Sequence, residues 1–219
     1  MVEYCQYGCG LSNPGQFLNF DVSPSLRLQK IPFLGTFLKK KMSTVFPANI
    51  IYGDITKGLP VPENSMKGVF CSHTLEHLAL DGLRSALANT YLIMQPGGIF
   101  RCVLPDLEWA CRQYLYEMEE GKLDASLKFM SDYTMLGYTS RPKGFIAHLR
   151  EIYGNSKHLW MWDYSSLKNE LLKVGFINIR RAHFGDSQDS NFSYVEDEGR
   201  FFNALAIECV KPYASANCF

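Results

Sequence analysis

Short apolar runs with little polar alternation recur along the chain, at Val2–Tyr7, Gln16–Val22, Asn49–Tyr52, 68–71, 99–104, Phe176–His183 and Ala204–Val210. Runs of this kind suit strands covered on both faces. Between the fourth and fifth, Ala79–Met94 places Leu80, Leu83, Leu87, Tyr91 and Met94 at spacings of three and four. That spacing gives a helix one apolar face. Strand, helix and strand within residues 67–106 make a βαβ unit, so a mostly parallel sheet is predicted. The Pro96-Gly97-Gly98 segment reads as the break between helix and second strand.

The first connection departs from this rhythm. Only Leu11–Gly15 separate Gly10 from Gln16, whereas a parallel crossover needs about a dozen residues. A truncated crossover without a helix is predicted. Residues 25–41 read as helical, split by Pro32 and Gly35. A further helix runs from Asp106 to about Glu120, and another over Ser165–Val174, ending at Gly175. The last two strands pair antiparallel across the polar stretch Gly185–Gly199, and Lys211–Phe219 reads as a frayed tail. Residues 122–160 interrupt the alternation and are rich in Tyr, Phe, Met, Trp and His. They predict a helical insertion after the fifth strand, lying over the functional edge as a lid or covering the sheet as a helix pair. The whole chain, 1–219, reads as one domain.

Composition narrows the function classes. Lys plus Arg and Asp plus Glu both number 22, so no overall field favours nucleic acid. The Lys39-Lys40-Lys41 run reads as a solvated helix end. Seven cysteines form no CxxC pair, and several lie inside apolar strands. With no leader-like segment and no apolar run near eighteen residues, a cytoplasmic location without membrane partners is expected.

Candidate chemistry clusters where strands end. Gly8 and Gly10 follow the first strand, where two glycines let the chain turn sharply and a ligand approach closely. Asp21 ends the second strand and Asp54 follows the third. Ser72-His73 and Pro105-Asp106 follow the fourth and fifth. In a parallel sheet, ligands bind beyond these carboxyl ends.

In order, the pieces are Tyr7-Gly8-Cys9-Gly10, Asn19-Phe20-Asp21, Gly53-Asp54-Ile55, Ser72-His73-Thr74-Leu75-Glu76-His77-Leu78 and Gln95-Pro96-Gly97-Gly98. Together they resemble a class I S-adenosylmethionine-dependent methyltransferase. Trp162-Asp163-Tyr164, Leu167, Leu171 and Gly175-Phe176 resemble that family's last helix and sixth strand. The resemblance implies a Rossmann-like α/β fold, a seven-stranded mostly parallel sheet with an antiparallel last strand, and S-adenosyl-L-methionine as cofactor. It places Tyr7, Gly8, Cys9 and Gly10 beneath the methionine moiety, and Asp21 on the ribose hydroxyls. Asp54 and Ile55 fall on the adenine, and Ser72 and His73 beside the sulfonium. Gln6 stands where the family often has an acid.

Methyl transfer to oxygen needs a base, and His73, His148 and His158 are the candidates, with Asp106 able to orient a histidine or a hydroxyl. A small-molecule or sugar acceptor fits the aromatic insertion. No metal is expected. Three alternatives compete. Residues 73–77 also spell His-x-x-Glu-His, a zinc-hydrolase pattern with Glu151 as a further ligand. A nicotinamide dehydrogenase shares the glycine turn but lacks its third glycine here. A catalytically silent S-adenosylmethionine-binding module would keep the fold alone.

Overall fold

The computed structural model describes residues 2–32, 42, 44–138, 140 and 157–213. Seven strands form one sheet: β1 (Tyr4–Tyr7), β2 (Leu18–Asp21), β3 (Ile50–Tyr52), β4 (Met66–Ser72), β5 (Met94–Pro105), β6 (Ile177–Arg181) and β7 (Ala204–Val210). Their order is β3-β2-β1-β4-β5-β7-β6, with β7 antiparallel to both β5 and β6 and the other pairs parallel. This is the Rossmann-like methyltransferase arrangement. The chain runs outward from β1 to β3, then returns beside β1 as β4. The point where direction reverses, between β1 and β4, is where open α/β sheets bind ligands.

Six α-helices are described: α1 (Pro24–Gln29), α2 (Leu80–Ile93), α3 (Leu107–Glu119), α4 (Ala125–Lys128), α5 (Tyr164–Val174) and α6 (Glu198–Phe201). The main core lies on one sheet face, where α2 and α5 bury Leu83, Leu87, Leu167 and Leu171 on Cys5, Val69, Phe100, Cys102 and Ile207. Helix α5 starts on a capping box between Asp163 and Ser166 and ends on Gly175 in the left-handed conformation, which stops a helix cheaply.

The other face has no helix from the first crossover, because the connection from Gly8 to Phe17 is a loop. Aromatic side chains cover it instead. Phe17 from that loop packs against Tyr4 and Phe192, and Phe192 packs in turn on Phe70. Phe192 and Val195 belong to the segment between β6 and β7, which lies over the bare strands together with Ala182 and Ala206.

Charges bind that segment down. Arg101, fully buried on β5, ion-pairs with Glu196, Glu208 at 3.0 Å and Asp186 at 2.9 Å, and donates to the His183 carbonyl. Glu208 lies opposite both Arg101 and Arg180 in strand register, so the ladder crosses β5, β7 and β6.

Two local expectations are corrected. Gln95–Gly98 is not a break but the bulged start of β5, which begins directly at the end of α2. Gly97 donates to the Lys211 carbonyl and Lys211 to the Gly98 carbonyl, extending the pairing with β7. For the same reason Lys211 is no frayed residue: its ammonium is buried and donates to Asn64 Oδ1 and to the Tyr91 and Met94 carbonyls at 2.7–2.8 Å. It caps the carbonyl end of α2. Residues 33–41, with the lysine run, and 214–219 lie outside the described residues, as does 141–156 of the insertion. Among the described residues, no helix is long and apolar enough to cross a membrane.

Candidate functional site

A cleft of about 410 Å³ opens at the switch point, lined by Gln6 to Ser12, Phe70, Ser72, His73 and the facing segment Tyr194–Asp197 with Arg200. Its volume lies within the roughly 300–1,000 Å³ usual for small-ligand sites.

The glycine turn forms its floor. Gly8 and Gly10 have φ of +64° and +56°. A Cβ on Gly8 would stand 1.9 Å from Thr74 Oγ1, while one on Gly10 would meet open space. The turn is held from below. Asp21 Oδ2 accepts from Gly10 N–H at 2.9 Å and Oδ1 from Ser23 N–H at 2.7 Å. Gln6, where an acid is usual, donates to Asn19 Oδ1 at 2.7 Å and to the Ser12 carbonyl and hydroxyl at 3.2 Å. Asn19 donates to the Pro14 and Phe17 carbonyls. The Gln6–Asn19 pair thus braces the short crossover, a role that residue types alone do not reveal.

The other anticipated positions divide. Ser72 and His73 line the cleft, and the buried Ser72 hydroxyl has no hydrogen-bond partner among the described residues. Tyr7 contributes backbone to the cleft and turns its ring into the core, stacked near Phe100. Burial and Asp21 push the Cys9 thiol up to about 12, so it stays protonated at neutral pH. Asp54 caps the 3₁₀ turn Ile55–Lys57, accepting from Thr56 N–H and hydroxyl and pairing with Lys57 at 2.9 Å. Ile55 is buried beside it. Neither lines the described cleft.

Asp106 does not line the described cleft either. It caps α3 through Glu108 N–H and pairs with Arg181 at 3.2 Å. His148 and Glu151 lie outside the described residues.

His73 occupies the left-handed region at φ +48°. Its Nε2 donates to the Arg200 carbonyl at 3.0 Å, and its Nδ1 lies 3.5 Å from Glu76 Oε1. Desolvation works against its charged form, but the Glu76 and Arg200 contacts outweigh it and raise the pKa. Glu76 and His77 follow in the 3₁₀ turn Leu75–His77, so 73–77 is not the single helical turn that a His-x-x-Glu-His zinc hydrolase requires. The insertion reaches this turn, because Leu159 and Trp160 both donate to the Glu76 carbonyl.

The far wall, Tyr194–Arg200, is what sequence reasoning missed. Asp197 caps α6 through Gly199 N–H, and Glu196 accepts from Gly185 N–H as well as Arg101. A signal existed: Arg101 and Glu208 are single charges inside otherwise apolar strands, and such charges need buried partners.

Residues 8–102 match the methyltransferase-domain family. No curated protein sequence matches the chain. Among solved structures, a possible exported protein of Bordetella parapertussis aligns at 11% identity and TM-score 0.50, covering 96% of this chain and 62% of that one. An S-adenosylmethionine-dependent methyltransferase of Archaeoglobus fulgidus aligns at 15% identity and TM-score 0.47, covering 95% and 85%. One of Thermotoga maritima, described as a possible histamine N-methyltransferase, aligns at 18% and 0.46, covering 95% and 81%. The methyltransferase-domain match over residues 8–102 thus falls on the glycine turn at the switch point, and the strand order agrees with the class I S-adenosylmethionine-dependent methyltransferase fold.

Proposed function

We propose that the protein methylates a small-molecule or carbohydrate acceptor, at oxygen. The observation that carries this reading is the cleft: small-ligand in size, floored by glycines and walled by Tyr194 and Arg200. An aromatic ring and a guanidinium suit a hydroxylated organic molecule.

The residues present fit the cofactor. Gly8 and Gly10 leave the floor open to close backbone approach, and Ser72, whose hydroxyl has no partner among the described residues, is one of the lining residues. S-adenosylmethionine brings an already activated methyl group. On this reading Tyr7 to Gly10 hold the methionine part by backbone. Asp21, each of whose oxygens keeps a further lone pair, takes the ribose, and Asp54 and Ile55 take the adenine. Most of the rate then comes from alignment in a fitted cavity. Among the proposed catalytic groups, His73 is the one that lines the cleft; Asp106 would orient a histidine or a substrate hydroxyl, and His148 would act from the insertion.

His73→Asn tests the assignment, since asparagine tolerates the left-handed backbone that alanine resists. Radiolabelled methyl transfer to a panel of hydroxylated metabolites and sugars should fall at least tenfold in kcat. Affinity for S-adenosylhomocysteine, by calorimetry, should change less than threefold. An unchanged kcat removes His73, and transfer to amines alone overturns the oxygen acceptor. Absence of any cofactor uptake by the wild type would favour the silent binding module.

A further inference from the structure

Behind the cleft wall lies a second polar cluster, of which the methyl transfer proposed above uses His73 alone. Glu76 is fully buried, yet neither of its carboxylate oxygens has a hydrogen-bond partner among the described residues. Three imidazoles converge on one of them. His73 Nδ1 lies 3.5 Å, His77 Nε2 3.8 Å and His158 Nε2 3.9 Å from Glu76 Oε1.

The tautomers of these rings follow from their outer nitrogens. His77 Nδ1 is 2.8 Å from the Lys157 carbonyl and His158 Nδ1 is 2.7 Å from the Thr134 carbonyl. A carbonyl oxygen only accepts, so each Nδ1 carries the proton. In the neutral rings each Nε2 therefore presents a lone pair to an oxygen that also has only lone pairs. Such an arrangement, shut off from water, lacks a positive centre. Histidine held by a backbone carbonyl at one nitrogen is also the standard posture of a metal ligand, with its other nitrogen free for the ion.

We propose that Glu76, His77 and His158 bind a divalent transition-metal ion of the zinc class. Their donor atoms all lie within 4.8 Å of one another. Zinc bonds of about 2.0–2.2 Å set tetrahedral donors roughly 3.4 Å apart, so the 3.8 and 3.9 Å separations need to close by only a few tenths of an ångström. Two imidazoles and one carboxylate select transition ions over magnesium or calcium, which prefer all-oxygen sites. Side-chain exposures of 17%, 6% and 1% for His77, His158 and Glu76 mark an enclosed, structural position. His73 Nδ1, 3.5 Å from the same oxygen, is a further donor within reach.

The ion would tie three pieces of chain together. His77 and Glu76 follow β4, and His158 comes from the end of the insertion. The Thr134 carbonyl behind His158 belongs to the residue after the π-helical turn Phe129–Tyr133. The ligands are not those of the His-x-x-Glu-His pattern, since His158 takes the place of His73. This proposal departs from the expectation that the chain holds no metal, and it does not depend on the acceptor reading.

Full-length protein dialysed against chelator and titrated with zinc should take up one equivalent and unfold at a higher temperature. Cobalt in its place should give the intense visible bands of a four-coordinate ion. Those bands should come without the near-ultraviolet thiolate band that any of the seven cysteines would produce. His158→Ala should weaken zinc at least a hundredfold, while His183→Ala, at an exposed histidine outside the cluster, should leave it unchanged. No uptake by the wild type overturns the site, because a proton then supplies the positive centre. A cobalt–thiolate band, or full affinity in the His77→Ala/His158→Ala double variant, also overturns it. The wild-type titration decides the matter even where a variant fails to fold.

Discussion

Gly8 shows how a single missing side chain fixes the site. Its φ of +64° already disfavours any L side chain, and Thr74 occupies the space where a Cβ would go. Gly8→Ala therefore meets two separate penalties: a left-handed backbone, costing about 1–2 kcal/mol, and a clash with Thr74. Thr74→Ala removes much of the clash and none of the backbone cost. Urea unfolding of the two single variants and the double should give a favourable coupling of about 1 kcal/mol or more. Strict additivity would mean that Thr74 does not confine the turn. At this scale the sequence was partly legible. Paired glycines after a strand announce a tight turn, but the partner that makes one of them obligatory sits 66 positions away. Gln6 and Asn19 are harder still, since nothing in either residue says they hydrogen-bond to each other.

Among elements, those with a clear period were legible and those fixed by distant partners were not. Leucines three and four apart in Ala79–Met94 gave α2 to within a residue at each end. The short apolar runs gave all seven strands, because burial on both faces leaves a sequence mark. The two misreadings, Pro96-Gly97-Gly98 and Lys211, share one cause: each is organised by the other across the β5–β7 pair. A lysine after a strand reads as solvated, yet the last carbonyls of α2 need donors and Lys211 supplies them. Lys211→Met keeps the aliphatic stem and removes three charge-assisted hydrogen bonds. Destabilisation by about 2–3 kcal/mol is expected in chemical denaturation. A loss under about 0.5 kcal/mol, the scale of an ordinary surface change, would show that water serves those carbonyls equally well.

For the molecule as a whole, the missing first helix and the cleft wall are one feature. A parallel sheet needs both faces covered. The five-residue Leu11–Gly15 link cannot carry a helix, so the segment between β6 and β7 covers that face with Phe192 and Val195. Arg101 holds the same segment through Glu196 and the His183 carbonyl, and the residues just beyond Phe192 become the far side of the cleft. The sequence showed the gap, but not what filled it, because Gly185–Gly199 reads as a polar loop. If covering the sheet and shaping the cleft are coupled, Phe192→Ala should do more than leave a void. It should cost about 3–5 kcal/mol and weaken S-adenosylhomocysteine at least tenfold by calorimetry. Leu171→Ala is the control, since Leu171 is equally buried but belongs to α5 and packs over the opposite face. It should cost about 2–5 kcal/mol and leave ligand affinity within twofold. Equal effects on affinity from both variants would reduce the coupling to general loosening. An effect from Phe192 alone would show that the chain builds one wall of its ligand site from the cover its first crossover omits.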